Sequence, residues 1–290
     1  MSLAVAEVIA RVANGVAELP QDQWDACAGA DNPFVSWHFL SALERSGSVG
    51  GASGWQPLPL VIDDADGQMA AAAPLYAKSH SQGEYVFDQG WADAWERAGG
   101  RYYPKIQLAA PFSPVPGPRL LLRDGAMAPG LIAGIETLVE RNGLSSAHAT
   151  FVAPDQVPLF EANGWLIRED SQFHWTNRGY GDFDDFLAEL SSEKRKNIRK
   201  ERRRAVEGLD IIHLTGGDLT EAHWDIFWEF YQDTGARKWG RPYLTRDFFS
   251  ILGETMADRL LLMLALRNGA PIAGALNLIG GNTLYGRYWG

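Results

Sequence analysis

Cations are concentrated in one short stretch of this chain. Between Lys194 and Arg204 stand eight basic residues (Lys194, Arg195, Lys196, Arg199, Lys200, Arg202, Arg203 and Arg204), with Glu201 the one acid among them. The formal net charge is −10, so the run stands against an acidic background. On a helix, Arg195, Arg199 and Arg202 share one face close to Ile198, and Lys196, Lys200 and Arg203 share another. Guanidinium forks arranged in this way suit a polyanion: a diphosphate, a CoA phosphate or a tRNA backbone. A run of like charge is as often a solvated helix face, with some arginines paired to acids elsewhere.

Three other stretches mix cations with aromatics or tight turns. Thr234 to Tyr243 carries Arg237, Lys238, Trp239, Arg241 and Tyr243, a set that suits an anionic or glycan-bearing ligand. A loop tip kept basic for solubility would look the same. The segment 283–289 reads as a strand, with Tyr285, Arg287 and Trp289 on one side and Leu284, Gly286 and Tyr288 on the other. One of these sides faces a cleft, where Arg287 or Tyr288 meets a ligand. Pro114 to Arg119 is a Pro/Gly loop in which Pro114, Pro116 and Pro118 have no N–H to offer an anion.

Much chemistry is excluded. The six histidines (His38, His80, His148, His174, His213 and His223) show no metal spacing, so no metal is expected; His148 and His174 read as strand residues in or beside the core. Cys27 is the single cysteine, which rules out an internal disulfide and fits a reducing compartment. No nucleophile elbow, Walker loop or dinucleotide fingerprint occurs. The net charge argues against general nucleic-acid affinity. No stretch approaches the roughly 20 apolar residues of a membrane span, and Glu7 and Arg11 interrupt the place of a signal peptide. The expectation is a cytoplasmic protein.

The elements that position these residues follow from an internal repeat. Leu19-Pro-Gln-Asp-Gln-Trp24-Asp25 recurs as Leu219-Thr-Glu-Ala-His-Trp224-Asp225, and Pro33-Phe-Val-Ser36-Trp-His-Phe39 as Pro242-Tyr-Leu-Thr245-Arg-Asp-Phe248. Asp66-Gly67 with the apolar run after it recurs as Asn268-Gly269 and its run. Three blocks in one order predict two copies of one unit. Ser36 and Thr245 read as helix N-caps, and Leu19 to Ala28 and Leu219 to Asp233 as the preceding helices. Asp66-Gly67 and Asn268-Gly269 read as hairpin turns, joining Leu58–Asp63 to Met69–Tyr76 and Leu260–Leu266 to Pro271–Leu278. A third strand is expected at Glu84 to Phe87 and at Thr283 to Trp289. The first copy continues with a helix from Leu131 to Asn142, a buried strand from Ala147 to Val152, a helix from Asp155 to Ala162 and a long final strand or bent pair of strands from Trp165 to Trp175.

Two passages carry a family resemblance. They are Tyr102-Tyr103-Pro104-Lys105-Ile-Gln107 with Pro111 to Arg119, and Phe173 to Tyr180 with Phe183-Asp-Asp-Phe186 and Lys194 to Arg202. The chain resembles the FemAB-like predicted N-acyltransferases of peptidoglycan biosynthesis or recognition. The resemblance implies an α/β class, a tandem acyl-CoA N-acyltransferase (GNAT) fold with mostly antiparallel sheets flanked by helices. Its copies would span 1–178 and 179–290, the second lacking its final helix-strand-helix-strand portion. It implies acyl or aminoacyl transfer to an amine acceptor, a peptidoglycan precursor among the candidates, or a non-catalytic protein that recognises such a ligand. The donor would be acyl-CoA or aminoacyl-tRNA, and the partner an anionic small molecule or glycopeptide. No helical arm for tRNA is visible. In that fold the Pro114 loop corresponds to the donor pyrophosphate turn and the Thr234 to Tyr243 connection to the acceptor side. The candidate substrate-binding set is Tyr103, Lys105, Arg119, Arg195, Arg199, Arg237, Lys238, Trp239, Tyr243, Arg287 and Tyr288. No general base is identified; Asp247 and Glu229 have no claim over other carboxylates.

Overall fold

A computed structural model describes residues 9–237 and 242–290. Strand β1 (Ala10–Val12) leads into helices α1 (Gln21–Ala28) and α2 (Trp37–Arg45). Strands β2 (Trp55–Pro57), β3 (Leu60–Asp63), β4 (Met69–Ala73) and β5 (Leu75–Lys78) precede α3 (Gln89–Arg97), β6 (Lys105–Leu108) and β7 (Leu121–Leu122). Then come α4 (Ala128–Arg141), β8 (Ala147–Ala149), α5 (Val157–Ala162), α6 (Phe183–Ala188) and α7 (Ser192–Ala205). The chain continues through β9 (Asp210–Leu214), α8 (Glu221–Arg237) and α9 (Arg246–Thr255) to a meander of β10 (Leu260–Arg267), β11 (Ala270–Gly280) and β12 (Thr283–Trp289).

The strands form three four-stranded sheets, ordered β1-β3-β4-β7, β2-β5-β6-β8 and β9-β10-β11-β12. Every pairing is antiparallel except that of β6 with β8. The first and third sheets share an order, with an edge strand, two helices and then a hairpin. The hairpin turns fall where the Gly signals place them: Gly67, Asn268 and Gly269 all take left-handed φ, of 74°, 53° and 77°. Ser36 caps α2, its hydroxyl accepting from Phe39 N. Thr245 occupies the matching position of α9, but its hydroxyl donates to Ser46 O at 3.0 Å and so ties the second helix pair to the first.

The two helix pairs pack on each other through equivalent residues. Phe39 and Phe248 meet edge to face at 5.8 Å, and one core runs from Val16 through Trp24, Phe39 and Trp224 to Tyr288. A smaller core lies under α4, where Leu131, Ile132 and Ile135 cover Leu60, Ile62 and Ala71. The join between halves is close. A Cβ on Gly280 would lie 2.1 Å from the Asp31 carbonyl oxygen and 2.5 Å from Pro33 Cδ. Because backbone cannot step aside as a side-chain tip can, Gly280→Ala should cost roughly 1–3 kcal/mol, towards the upper end, in urea unfolding.

Several expected strands are absent. Met69 to Tyr76 is not continuous: Pro74 offers no N–H to a ladder, and beyond it β5 joins a different sheet. Glu84 to Phe87 forms no strand, since Gly83 and Tyr85 take φ of 80° and 57° and turn the chain; β7 fills that edge instead. In the next expected strand Ala147–Ala149 forms the ladder, half-buried rather than buried, and Val152 adds only an isolated parallel bridge to Gly117. Trp165 to Trp175 is extended chain with no ladder partner among the described residues, Leu166 and Phe173 being 95 % and 99 % exposed. The charged run Arg168-Glu169-Asp170 interrupts its alternation, and His174, expected in or beside the core, is exposed there. Among the described residues no helix is long and apolar enough to cross a membrane.

Candidate functional site

Two lysines lie side by side inside the second sheet. Lys78 ends β5, Lys105 begins β6, the two are cross-strand partners, and both are 0 % exposed. Like charges placed opposite each other in a sheet repel, so the pair requires acids. The loop from Ser81 to Asp88 supplies them. Lys105 Nζ donates to Asp88 Oδ2 at 2.7 Å, to Glu84 Oε2 at 2.9 Å and to Ser81 Oγ at 2.9 Å. Tyr102 OH also donates to Asp88 Oδ2, and Tyr103 OH shares a 2.7 Å bond with Ser81 Oγ. Lys78 has less: a 3.3 Å bond to Gln82 O, the face of Trp55 at 3.6 Å, and Glu84 Oε1 at 3.9 Å.

The titrations follow from these contacts. Burial pushes the Lys78 ammonium down to about 7, against the attraction of Glu84. Burial raises Glu84 despite the neighbouring Lys105. For Asp88 burial acts upwards too, but the bonds from Lys105, Ser81 and Tyr102 outweigh it and hold the carboxyl below its usual range. Burial and then the Lys105 charge lower His148 to about 4, so this β8 residue is a neutral imidazole near the cluster.

The opposite side of the same loop forms one wall of a seam that Tyr243 and β12 close from the other side. Gly83 passes under Phe112, where a Cβ would lie 2.6 Å from the ring, and Trp55 Nε1 donates to Gln82 O at 3.0 Å. Phe112, at a left-handed φ of 56°, stacks on Tyr243 with centroids 5.0 Å apart and planes 7° from parallel. Arg287 comes from β12: its Nη2 donates to Phe112 O at 2.7 Å, and its guanidinium lies 4.9 Å from the Tyr288 ring and 5.7 Å from the Tyr85 ring. Tyr85 and Tyr243 stay 44 % and 39 % exposed at the mouth.

A bulge aims Arg287 there. Leu276 pairs with Tyr288 but Asn277 with Gly286, leaving Arg287 as the extra residue of β12. Strict alternation therefore fails: Tyr285 and Tyr288 both pack on the large core, and Arg287 is turned out of the ladder towards Phe112. Ser113 Oγ, Arg287 Nε and Tyr288 OH are buried with no hydrogen-bond partner among the described residues. Unsatisfied groups clustered in this way require an explanation, and a polar ligand entering the seam would complete them. Burial pushes the Tyr288 hydroxyl up to about 12, so at neutral pH it is a donor and not a base.

The seam brings together Tyr243, Arg287 and Tyr288 from the expected binding set, and Tyr103 and Lys105 stand behind its wall as buried supports. Arg119 is elsewhere: fully buried, it donates to the carbonyls of Thr150, Pro118 and Val115 and locks its own loop. In that loop the Gly117 N–H is bonded to Phe151 O and the Arg119 N–H to Gln156 Oε1, so only Val115 N–H is not accounted for by these bonds. Arg195 and Arg199 belong to α7, whose side-chain contacts run to α6, including Arg199 with Asp184 at 2.8 Å. Arg237 is exposed and paired with Asp233. Lys238 and Trp239 lie outside the described residues. No group of three or more His, Cys, Asp or Glu able to hold a metal occurs among the described residues.

Sequence reasoning missed Lys78, Glu84, Asp88, Tyr85, Phe112 and Ser113. A signal existed: Lys78 and Lys105 each adjoin apolar strand patterns, and a buried lysine demands an acid. No curated protein matches the chain. Residues 15–290 match the FemAB-like family, described as peptidoglycan biosynthesis/recognition. With nearly the whole sequence matched, the chain belongs to the FemAB-like family.

Proposed function

We propose that this protein transfers an acyl or aminoacyl group to the amine of a peptidoglycan-precursor acceptor, and that the seam holds the acceptor. The family membership supports the substrate class. The observation that carries the choice of site is Arg287, set by a bulge near Tyr85 and Tyr288, with its own Nε, Ser113 Oγ and Tyr288 OH left unsatisfied. A guanidinium among phenol rings binds carboxylates, phosphates and sugar faces. The reading takes residues 1–178 and 179–290 as two GNAT-type copies, consistent with the shared order of the first and third sheets.

The acceptor amine attacks the carbonyl of a thioester or aminoacyl ester. A C–N bond forms, the C–S or C–O bond breaks, and the amine's proton passes to the leaving thiolate or alkoxide. The protein orients the reactants and offers N–H and O–H donors to the developing oxyanion. The donor is acyl-CoA or aminoacyl-tRNA. A second reading, recognition without transfer, is favoured by one observation: the groups placed at the seam among the described residues are phenols, a hydroxyl and a guanidinium, with no carboxylate or imidazole among them.

Thermal unfolding with muropeptide precursors, CoA and acyl-CoA separates these readings. A ligand at ~100 times its dissociation constant adds roughly 2.7 kcal/mol. Stabilisation by a precursor, with product formed when a donor is added, is the expected result. Stabilisation with no product from either donor class establishes recognition alone. No shift with any precursor overturns the seam as an acceptor site.

A further inference from the structure

We propose that α6, α7 and the Trp175 segment before them form a docking surface for an anionic lipid bilayer. Two features meet here, a helix with a basic stripe and an exposed aromatic cluster that the same helix touches through Arg202.

α7 buries none of its residues. Arg195 and Ile198 are its half-covered positions, while Arg199 and Arg202 reach α6. Lys196, Lys200 and Arg203, at i, i+4 and i+7, form the adjoining stripe, about 10 Å long at 1.5 Å per residue. All three are exposed and have no acidic partner among the described residues, and the same holds for Lys194 and Arg204. α6 contributes many acids, but each is already engaged. Asp182 caps the helix through Asp185 N, Asp185 accepts from Gly181 N, Asp184 pairs with Arg199, and Glu189 accepts from Tyr180 and faces Arg178. Only Asp184 and Glu189 are offset by a cation, while Asp182 and Asp185 keep their charge at the start of α6; the cationic excess lies on α7, whose eight basic residues outnumber its acids Glu193 and Glu201.

The aromatic cluster meets α7 at Arg202. Trp175 lies 5.9 Å from both Tyr180 and Phe186, Phe186 lies 5.5 Å from Phe183, and the Arg202 guanidinium covers Phe183 at 3.8 Å. Trp175 and Phe183 remain 62 % and 40 % exposed. Lysines and arginines bordering Trp, Tyr and Phe on one face is the composition of an interfacial membrane contact. Each basic residue near an anionic leaflet adds attraction, and clusters of four to eight bind such surfaces. A nucleic acid fits less well. These rings pack edge to face against one another instead of offering open faces to bases, and an extended polyanion would meet the rest of a chain of net charge −10. A bilayer touches one face only, and beyond about 8 Å the remaining charge is screened at physiological salt.

Vesicle co-sedimentation of the full chain tests this without any donor or acceptor, using phosphatidylcholine alone and phosphatidylcholine with phosphatidylglycerol. The protein should partition onto the anionic vesicles only, and less so as salt rises. The triple variant K196E/K200E/R203E should lose roughly 100-fold in partitioning or more, and its melting temperature should fall little, since all three side chains are exposed and none is in an ion pair among the described residues. Trp175→Ser should weaken partitioning less and leave its salt dependence intact. Absence of binding to anionic vesicles at low salt overturns the proposal. Equal binding by the triple variant overturns it too, as does capture of RNA through these cations without vesicle binding.

Discussion

Replacing Lys105 with methionine should destabilise the protein by about 3–5 kcal/mol, the range for removing one partner from a buried charge cluster. The ammonium is the shared donor for Asp88, Glu84 and Ser81, all within 2.9 Å. Without it, two buried carboxylates face each other with only Lys78 to offset them, 3.9 Å from Glu84 and also engaged with Gln82 and Trp55. The deficit should shrink at acid pH, where those carboxyls can take up protons. Urea unfolding at pH 5 and pH 8 measures both values; a deficit below 1 kcal/mol at pH 8 would show that the cluster is not the clamp on the Ser81–Asp88 loop.

Lys78 behaves oppositely, and the sign can be worked out. Its ammonium sits at about 7 when folded, below the ordinary lysine value. Between these values the unfolded chain binds a proton that the folded one does not, so stability rises with pH. The gain is present above the unfolded value and is lost as pH falls through about 7. Wild-type stability should therefore climb between pH 7 and 8.5, and Lys78→Met should flatten the climb. Lys78→Met should also cost much less than Lys105→Met at pH 8, because it removes one long hydrogen bond rather than three short ones.

What sequence reasoning reached, and what it missed, divides along physical lines. Local signals carried far: Asn268-Gly269 turns the β10–β11 hairpin, Ser36 caps α2, and the basic run is one helix. Periodicity failed wherever a single residue changes the count. One extra residue at Arg287 breaks the alternation of β12, and Pro74 divides what reads as one strand between two sheets. From Trp165 to Trp175 the apolar residues at either end suggest a strand, but Arg168-Glu169-Asp170 breaks the pattern between them and no ladder forms among the described residues. The site was half legible for a similar reason. Arg287 and Tyr243 stand out by type, whereas Glu84 and Asp88, 21 and 17 residues from Lys105 in the chain, acquire meaning only when their loop folds back over the buried lysines.

Arg287→Ala should weaken binding of a muropeptide precursor on the order of 100-fold, as expected when one partner of a desolvated charged pair is truncated. The guanidinium has two tasks that can be separated. Nη2 holds Phe112 O and so fixes the stack of Phe112 on Tyr243, while Nε is buried without a partner. Losing the first task lowers unliganded stability by about 1 kcal/mol; losing the second affects only the ligand. Arg287→Lys tests the distinction, because an ammonium can reach Phe112 O but cannot present a second, fork-like donor. It should recover most of the stability and little of the affinity. If the chain turns over, the loss belongs in KM with kcat nearly unchanged, since Arg287 would grip ground state and transition state alike. A kcat that falls with KM unaltered would move Arg287 from holding the acceptor to stabilising the reacting centre. Equal affinity in all three proteins would remove the acceptor from the seam.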